Sequence, residues 1–100
     1  MDELRFAWDD EKDALNQAKH QVSFEEARTV FFDPHALVID DPDHSAAEER
    51  FIILGHSRVL RLLVVAHCHR QAEAVVRIIS ARKATKHESK AYQTGGRHGR

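Results

Sequence analysis

A chain of 100 residues, 42% hydrophobic and 31% charged, has room for one domain with one modest core. Its formal net charge of -1 argues on average against a general nucleic-acid binder or a membrane-surface protein. The single cysteine, Cys68, excludes an intrachain disulfide framework, and no apolar run approaches the roughly 20 residues that a spanning helix needs. We therefore expect a soluble, cytoplasmic protein.

The first half of the chain predicts a short strand and two helices. Residues 4–8 alternate weakly, and Asp9 is a suitable N-cap for a helix that runs to about His20. A capping box over Ser23–Glu26, in which the serine hydroxyl and the glutamate side chain satisfy each other's free backbone amides, opens the second helix. That helix ends before Pro34, because the residue that precedes a proline is disfavoured in the α conformation.

The second half changes from a helical period to the period of 2 that is typical of strands. The candidate strands are residues 37–39, 50–56, 59–67 and 74–81. Short connections make the last three antiparallel neighbours. A second capping box, formed by Thr85 and Glu88, opens a short helix. The order β-α-α-β-β-β-β-α predicts an α+β fold, with two N-terminal helices and a C-terminal helix packed on a mainly antiparallel sheet of four to five strands. One domain is expected over 1–93, followed by a disordered tail over 94–100.

Strand pairing predicts which residues share a face of the sheet, because directly opposed residues point to the same side. If the first hairpin pairs His56 with Val59, four polar side chains fall on one face: Arg50, Arg61, His67 and Arg77. The other face then offers apolar residues to the helices: Phe51, Ile53, Leu60, Leu62, Val64 and Val76. A slip of one residue in the pairing would exchange the two faces.

Charge is divided unevenly along the chain. Residues 1–50 hold 14 Asp and Glu against 5 Lys and Arg, a net of -9, and residues 51–100 hold 2 against 10, a net of +8. Such a split favours a polyanion-facing surface on the sheet and the C-terminal helix. The alternative is an ordinary charged, solvated surface.

Motifs spread over residues 4–92 resemble those of a known family. They are Phe6-x-Trp8-Asp9, Lys19-His20, Val22-Ser23-Phe24-Glu25-Glu26-Ala27, Glu49-Arg50-Phe51 and Arg77-Ile78-Ile79-Ser80-Ala81-Arg82-Lys83-Ala84-Thr85, with Glu88 and Tyr92. In these residues the sequence resembles the BrnT family, which are ribonuclease toxins of type II toxin-antitoxin systems with a RelE-like fold. The resemblance implies a small RNA-cleaving domain. It also implies a partner, BrnA, a ribbon-helix-helix antitoxin through which operator DNA is contacted.

Two places depart from the family pattern. Gln21 stands where the family usually has glycine, so a left-handed helix end there would either cost about 1 kcal/mol or be replaced by another turn. The loop Cys68–Glu73 is longer than usual, which makes the hairpin register near His67 the least secure part of the resemblance.

RNA cleavage without a metal needs a base for the 2'-hydroxyl proton, cations for the charge that builds on the phosphorane, and an acid for the leaving oxygen. Arginine suits the second role because its planar fork donates two hydrogen bonds to phosphate. The residues expected to contribute to catalysis are Arg61, His67, Arg77, Arg82, Lys83 and Glu88. Among them His67 is the candidate base or acid, since imidazole titrates near neutral pH, and Lys83 and Glu88 are the alternative proton carriers. Residues expected to bind RNA are Arg50, Arg58, Lys86 and Tyr92.

Each of these residue types also has a structural interpretation. Arginines on a sheet often form surface ion pairs, and a histidine can be buried against a backbone carbonyl. Glu88 can serve only its capping box, and Tyr92 can simply pack on the sheet. No metal or cofactor is predicted, because His67-x-His69 lacks a third ligand at suitable spacing. The alternative function is a non-catalytic module that acts as the co-repressor partner of a ribbon-helix-helix DNA-binding protein.

Overall fold

The computed structural model describes residues 4–41, 49–70 and 74–95. The helices are α1 (Asp10–His20), α2 (Phe24–Ala27), a 3-10 helix (Arg28–Phe32) and α3 (Lys86–Gln93). The strands are β1 (Arg5–Ala7), β2 (Leu37–Asp40), β3 (Phe51–His56), β4 (Leu62–Arg70) and β5 (Val75–Lys83). This order confirms the predicted α+β class and the predicted succession of elements.

The five strands form one sheet in the order β1-β5-β4-β3-β2. All neighbours are antiparallel except β1 and β5, which run parallel. One face is covered by α1, α2 and the 3-10 helix, and the core between them contains ten buried residues: Val22, Phe24, Ala27, Val30, Ile53, Leu63, Val65, Val76, Ile78 and Ala81. We call the other side the open face. Its central strands present Ile52, Leu54, Val64, Ala66, Ser80 and Arg82, and α3 crosses one end of it.

Helix α1 docks on the sheet through a polar side chain. Asp9 caps the helix as predicted, accepting hydrogen bonds from two backbone amides. The one buried residue of α1 is Asn16, whereas Leu15 is 70% exposed. The Asn16 amide donates to the carbonyl oxygens of Val22 and Ala81, both at 2.8 Å, and its Oδ1 accepts from Ala81 N at 3.1 Å. The N–H and the C=O of Ala81, which face away from β4, are thereby both hydrogen-bonded.

The β3-β4 hairpin pairs in a register different from the predicted one. His56 lies opposite Leu62 instead of Val59, so the turn spans five residues, 57–61. Hydrogen bonds from Ser57 N to Arg61 O (2.9 Å) and from Leu60 N to Ser57 O (2.8 Å) close the turn, with Leu60 at a positive φ of 65°. Because the shift is an odd number of residues, it exchanges the faces of β4.

The predicted faces are therefore partly wrong. His67 lies on the helix-covered face, opposite Phe51, while Leu62 and Val64 turn to the open face. Leu60 lies in the turn and is 80% exposed. Phe51, Ile53 and Val76 do face the helices, as predicted; the latter two are members of the buried core.

A β-bulge sets the faces of β5. Ala66 pairs with Ser80 and His67 pairs with Ile78, so Ile79 is an extra residue in β5. Arg77 and Arg82 would point to opposite sides of a regular strand, because five residues separate them. The bulge reverses the alternation between them and brings both onto the open face.

Gln21 ends α1 at a position that the sequence singles out. Gln21 adopts the left-handed conformation, with φ 58° and ψ 34°, so the expected cost of about 1 kcal/mol applies. The predicted loop over Cys68–Glu73 is wrong for residues 68–70, which continue β4 and pair with β5, while residues 71–73 lie outside the described residues. The tail is described only to Gly95, so the prediction for the rest of it lies outside the described residues too. Within the described part of the chain, no helix is long and apolar enough to cross a membrane.

Candidate functional site

Arg82 and Glu88 form a bidentate ion pair between β5 and α3. Arg82 Nη1 donates to Glu88 Oε1 at 2.9 Å, and Nη2 donates to Oε2 at 2.8 Å. The predicted capping box is present: Thr85 N donates to Glu88 Oε1, and Glu88 N donates to the Thr85 hydroxyl. The hydrogen bonds from Arg82 are the main cause that lowers the pKa of Glu88 to about 2. A carboxylate of such low basicity is suited to orienting Arg82 and is a poor proton acceptor.

The guanidinium of Arg82 keeps donors for a further ligand. It carries five N–H groups, and the described residues accept three of them: two at Glu88 and one at the Lys83 carbonyl, 3.2 Å from Nη1. The Nε–H and the second Nη2–H remain, and they lie on the same edge of the fork. This edge has the geometry that binds two phosphate oxygens at once.

Arg82 lines what we call the central cleft of the open face. Its lining residues are Asp41, Arg50, Ile52, Val64, Ala66, Ile79, Ser80 and Arg82. Arg50 Nε lies 3.7 Å from the buried Asp41 carboxylate, too far for a hydrogen bond. This Nε is itself buried, and no described residue accepts its hydrogen. The cleft therefore combines two guanidiniums and a serine hydroxyl above an apolar floor.

Two further clefts adjoin the central cleft. The lateral cleft is lined by Lys12, Arg50, Cys68, Arg70, Arg77 and Ile79, and it shares Arg50 and Ile79 with the central cleft. The apolar cleft lies under α3 and is lined by Leu37, Ile39, Ile52, Leu54, Val64, His87, Glu88 and Ala91. It shares Ile52 and Val64 with the central cleft. The three clefts form one track across the open face.

The structure places Arg61 away from this track. Arg61 Nε donates to Glu26 Oε2 at 2.9 Å, and Nη2 donates to Glu26 Oε1 and, at 3.0 Å, to the Gln21 carbonyl. The Ser57 hydroxyl also donates to Glu26, at 2.7 Å. The hydrogen bonds from Arg61 lower the pKa of Glu26, and the same contact raises the pKa of Arg61. Arg61 thus fastens the hairpin turn to α2, and the prediction that it shares a face with Arg77 is wrong.

The same contacts alter the first predicted capping box. Ser23 Oγ accepts from Glu26 N at 3.0 Å, as expected. The Glu26 carboxylate, however, binds Arg61 and Ser57, so this end of the helix is tied to the hairpin turn.

His67 is a core residue. Its side chain is 1% exposed, its ring centroid lies 4.7 Å from that of Phe31, and Nδ1 is 3.2 Å from the Val65 carbonyl. Burial lowers the pKa of His67 to about 4. The expectation that His67 lies beside the arginines is wrong, because the hairpin register directs the ring into the core.

Tyr92 is held by a side chain of the protein. Its hydroxyl donates to Asp33 Oδ2 at 2.6 Å, and its ring centroid lies 4.9 Å from that of His56. Burial and the contact with Asp33 raise the pKa of Tyr92 to about 12. Asp33 also accepts from His56 N at 2.8 Å, so Tyr92 links α3 to the end of β3.

The remaining predicted residues occupy exposed positions. Lys83 ends β5, Lys86 begins α3, and Arg58 lies in the β3-β4 turn. In the described part of the chain, none of the three lines the track. Three basic or titratable residues that sequence reasoning missed do line it: Lys12, Arg70 and His87. His87 could have been predicted to line the track, because it directly precedes Glu88 in the sequence. Lys12 reaches the track only because α1 docks against β5.

The described residues contain no group of three or more His, Cys, Asp or Glu side chains placed to hold a metal ion.

Residues 8–88 match the family of the ribonuclease toxin BrnT of type II toxin-antitoxin systems. Among solved structures, the crystal structure of the Brucella abortus ribonuclease toxin BrnT is similar, with a TM-score of 0.63 and 22% sequence identity. The alignment covers 84% of this chain and 100% of that chain. At this identity the structural likeness shows a shared fold. A comparison with curated proteins gives no match.

The buried His67 makes stability depend on pH. Unfolded His67 takes up a proton below its ordinary pKa of 6.5, whereas folded His67 does so only below about 4. The free energy of unfolding should therefore fall as pH is lowered from 7 to 4, by up to about 3 kcal/mol from this residue. We expect His67→Phe to flatten this part of the curve, as measured by urea unfolding at several pH values. An exposed histidine with no contact to His67 offers the control: His35→Gln should keep the wild-type slope, and equal slopes for both variants would contradict the assignment.

Proposed function

Because the chain belongs to the BrnT family of ribonuclease toxins of type II toxin-antitoxin systems, we propose that it cleaves RNA on the open face of its sheet. The observation that carries this proposal is the central cleft, in which Glu88 orients Arg82 beside Arg50 and Ser80. Two fixed cations in a partly enclosed cleft are what a phosphate needs as negative charge builds on it.

In the proposed reaction the scissile phosphate lies in the central cleft. The free edge of Arg82 donates to its non-bridging oxygens, and the exposed part of the Arg50 guanidinium adds a second positive charge beside them. The 2'-hydroxyl gives its proton to a base, its oxygen attacks the adjacent phosphorus, and the bond to the 5'-oxygen breaks as that oxygen takes up a proton. The products are a 2',3'-cyclic phosphate and a 5'-hydroxyl, and the reaction requires no metal ion.

His87 is the proposed proton carrier in place of His67. It lies on α3 and lines the apolar cleft next to Glu88, where an imidazole can take the 2'-hydroxyl proton or protonate the leaving oxygen. The rest of the apolar cleft has the character of a nucleobase pocket, since its walls are aliphatic: Leu37, Ile39, Ile52, Leu54 and Ala91. Lys83 pairs with the core residue Leu63, on the opposite face of β5 from Arg82, so it is not proposed as the carrier.

A toxin of this kind works with an antitoxin. We propose a BrnA-type ribbon-helix-helix partner that covers the open face with carboxylates in place of RNA phosphates and itself contacts operator DNA. The site of action would be the cytoplasm, where RNA substrate is present. The alternative is a non-catalytic module that serves only as co-repressor.

Removal of Arg82 tests the enzymatic function. Purified wild-type protein should cleave single-stranded RNA in the presence of EDTA, and Arg82→Ala should slow cleavage by about 100-fold or more, as loss of one oxyanion donor does. Arg28→Ala is the matched control, because it removes a 2.7 Å pair with Glu25 on the helix side of the molecule. Circular dichroism checks the folding of both variants. RNA left intact by the wild type, with and without ribosomes, together with no growth arrest on expression, would favour the co-repressor module.

Competition tests the antitoxin surface. Labelled RNA with 2'-O-methyl groups, which cannot be cleaved, should leave the toxin when antitoxin is added, as followed by fluorescence anisotropy. A ternary complex in which RNA and antitoxin are bound together would refute docking on the open face.

A further inference from the structure

We propose that the lateral cleft binds a second backbone phosphate of the RNA, one that is not cleaved, and so extends the substrate site across the sheet. This inference rests on the proposed RNA-cleaving function. The cleft gathers cations from four parts of the chain: Lys12 on α1, Arg50 at the entry to β3, Arg70 at the end of β4 and Arg77 on β5.

The charge of the lateral cleft sets it apart from the central cleft. Four of its six lining residues are cationic, and the described residues contribute no carboxylate to its lining. The central cleft, in contrast, includes the Asp41 carboxylate beside Arg50. Like charges gathered in a concave surface focus a positive potential, which attracts an anion. Three of the four are arginines, whose planar forks match a phosphate group.

Arg50 connects the two clefts. It lines both, and its buried Nε–H has no acceptor among the described residues. Nε is closed to solvent, so a ligand would contact the outer part of this guanidinium, since the side chain as a whole is 29% exposed. Arg50 therefore lies at the junction where successive phosphates of one strand would pass.

The distance along β5 separates the two phosphate positions. Arg77 and Arg82 are five residues apart, about 16 Å at roughly 3.3 Å per residue, and each lines a different cleft. The bulge at Ile79 keeps both arginines on the open face. A single strand of RNA in an extended conformation would place one of its phosphates at Arg82 and another at Arg77.

Lys12 reaches the cleft because of how α1 docks. Lys12 and Asn16 are one turn apart on the same helix face, and Asn16 is hydrogen-bonded to Ala81 of β5. The position of Lys12 beside β5 is therefore a consequence of a buried contact. A cation placed in this way recognises the sugar-phosphate backbone and contributes no sequence preference.

The test is the salt dependence of binding to a single-stranded 2'-O-methyl RNA octamer. Loss of one phosphate contact lowers the magnitude of the slope of log Kd against log salt concentration by about 0.7. Lys12→Gln should show this change and weaker binding, whereas it should bind a dinucleotide with a single phosphodiester as the wild type does. Lys19→Gln is the control: it removes the same charge two turns along α1 and is not among the residues lining the cleft.

The outcomes separate this inference from the proposed function. Equal slopes for Lys12→Gln and Lys19→Gln would overturn the lateral phosphate site, even if the protein cleaves RNA. A Lys12→Gln variant that loses affinity for the antitoxin but not for RNA would overturn it as well. The octamer cannot be cleaved, so binding to it is measured independently of catalysis. If Lys12→Gln changes the slope as expected but the wild type does not cleave natural RNA, the lateral site is supported and the enzymatic function is contradicted.

Discussion

The side-chain amide of Asn16 is the contact on which the open face depends. Strand β1 pairs only with residues 75–77, so the rest of the β5 edge needs other partners for its backbone. Asn16 supplies both partners at Ala81 and holds the Val22 carbonyl as well. One buried side chain thus covers a sheet edge and fixes α1 against β5, beside the two β5 residues, Ser80 and Arg82, that point to the open face.

Local signals in the sequence were sufficient for the elements and their order. The caps at Asp9 and Thr85 and the change of period after Pro34 each depend on neighbouring residues, and all three predictions are confirmed. The faces of β4 depend instead on the five-residue turn closed around Leu60, whose positive φ is unusual for a branched side chain. Neither this turn nor the bulge at Ile79 has a sequence signature.

The candidate site shows the same division between local and distant information. Arg82 and Glu88 are close in sequence, and the capping box holds the Glu88 carboxylate where Arg82 binds it. Nothing near Arg61 in the sequence shows that it lies outside the candidate site, because its partner Glu26 is 35 residues away. Lys12 belongs to the acidic half of the chain, yet the fold adds it to the cations of the other half. The net charge of -1 therefore says little about the open face.

RNA is proposed to bind across the open face of the sheet. Amide chemical shifts recorded while a 2'-O-methyl RNA oligomer is titrated into labelled protein locate the binding surface. The largest changes should occur at residues of the three clefts, above all Val64, Ala66, Ser80 and Arg82. Changes confined to α2 and the 3-10 helix, with the open face unaffected, would contradict it.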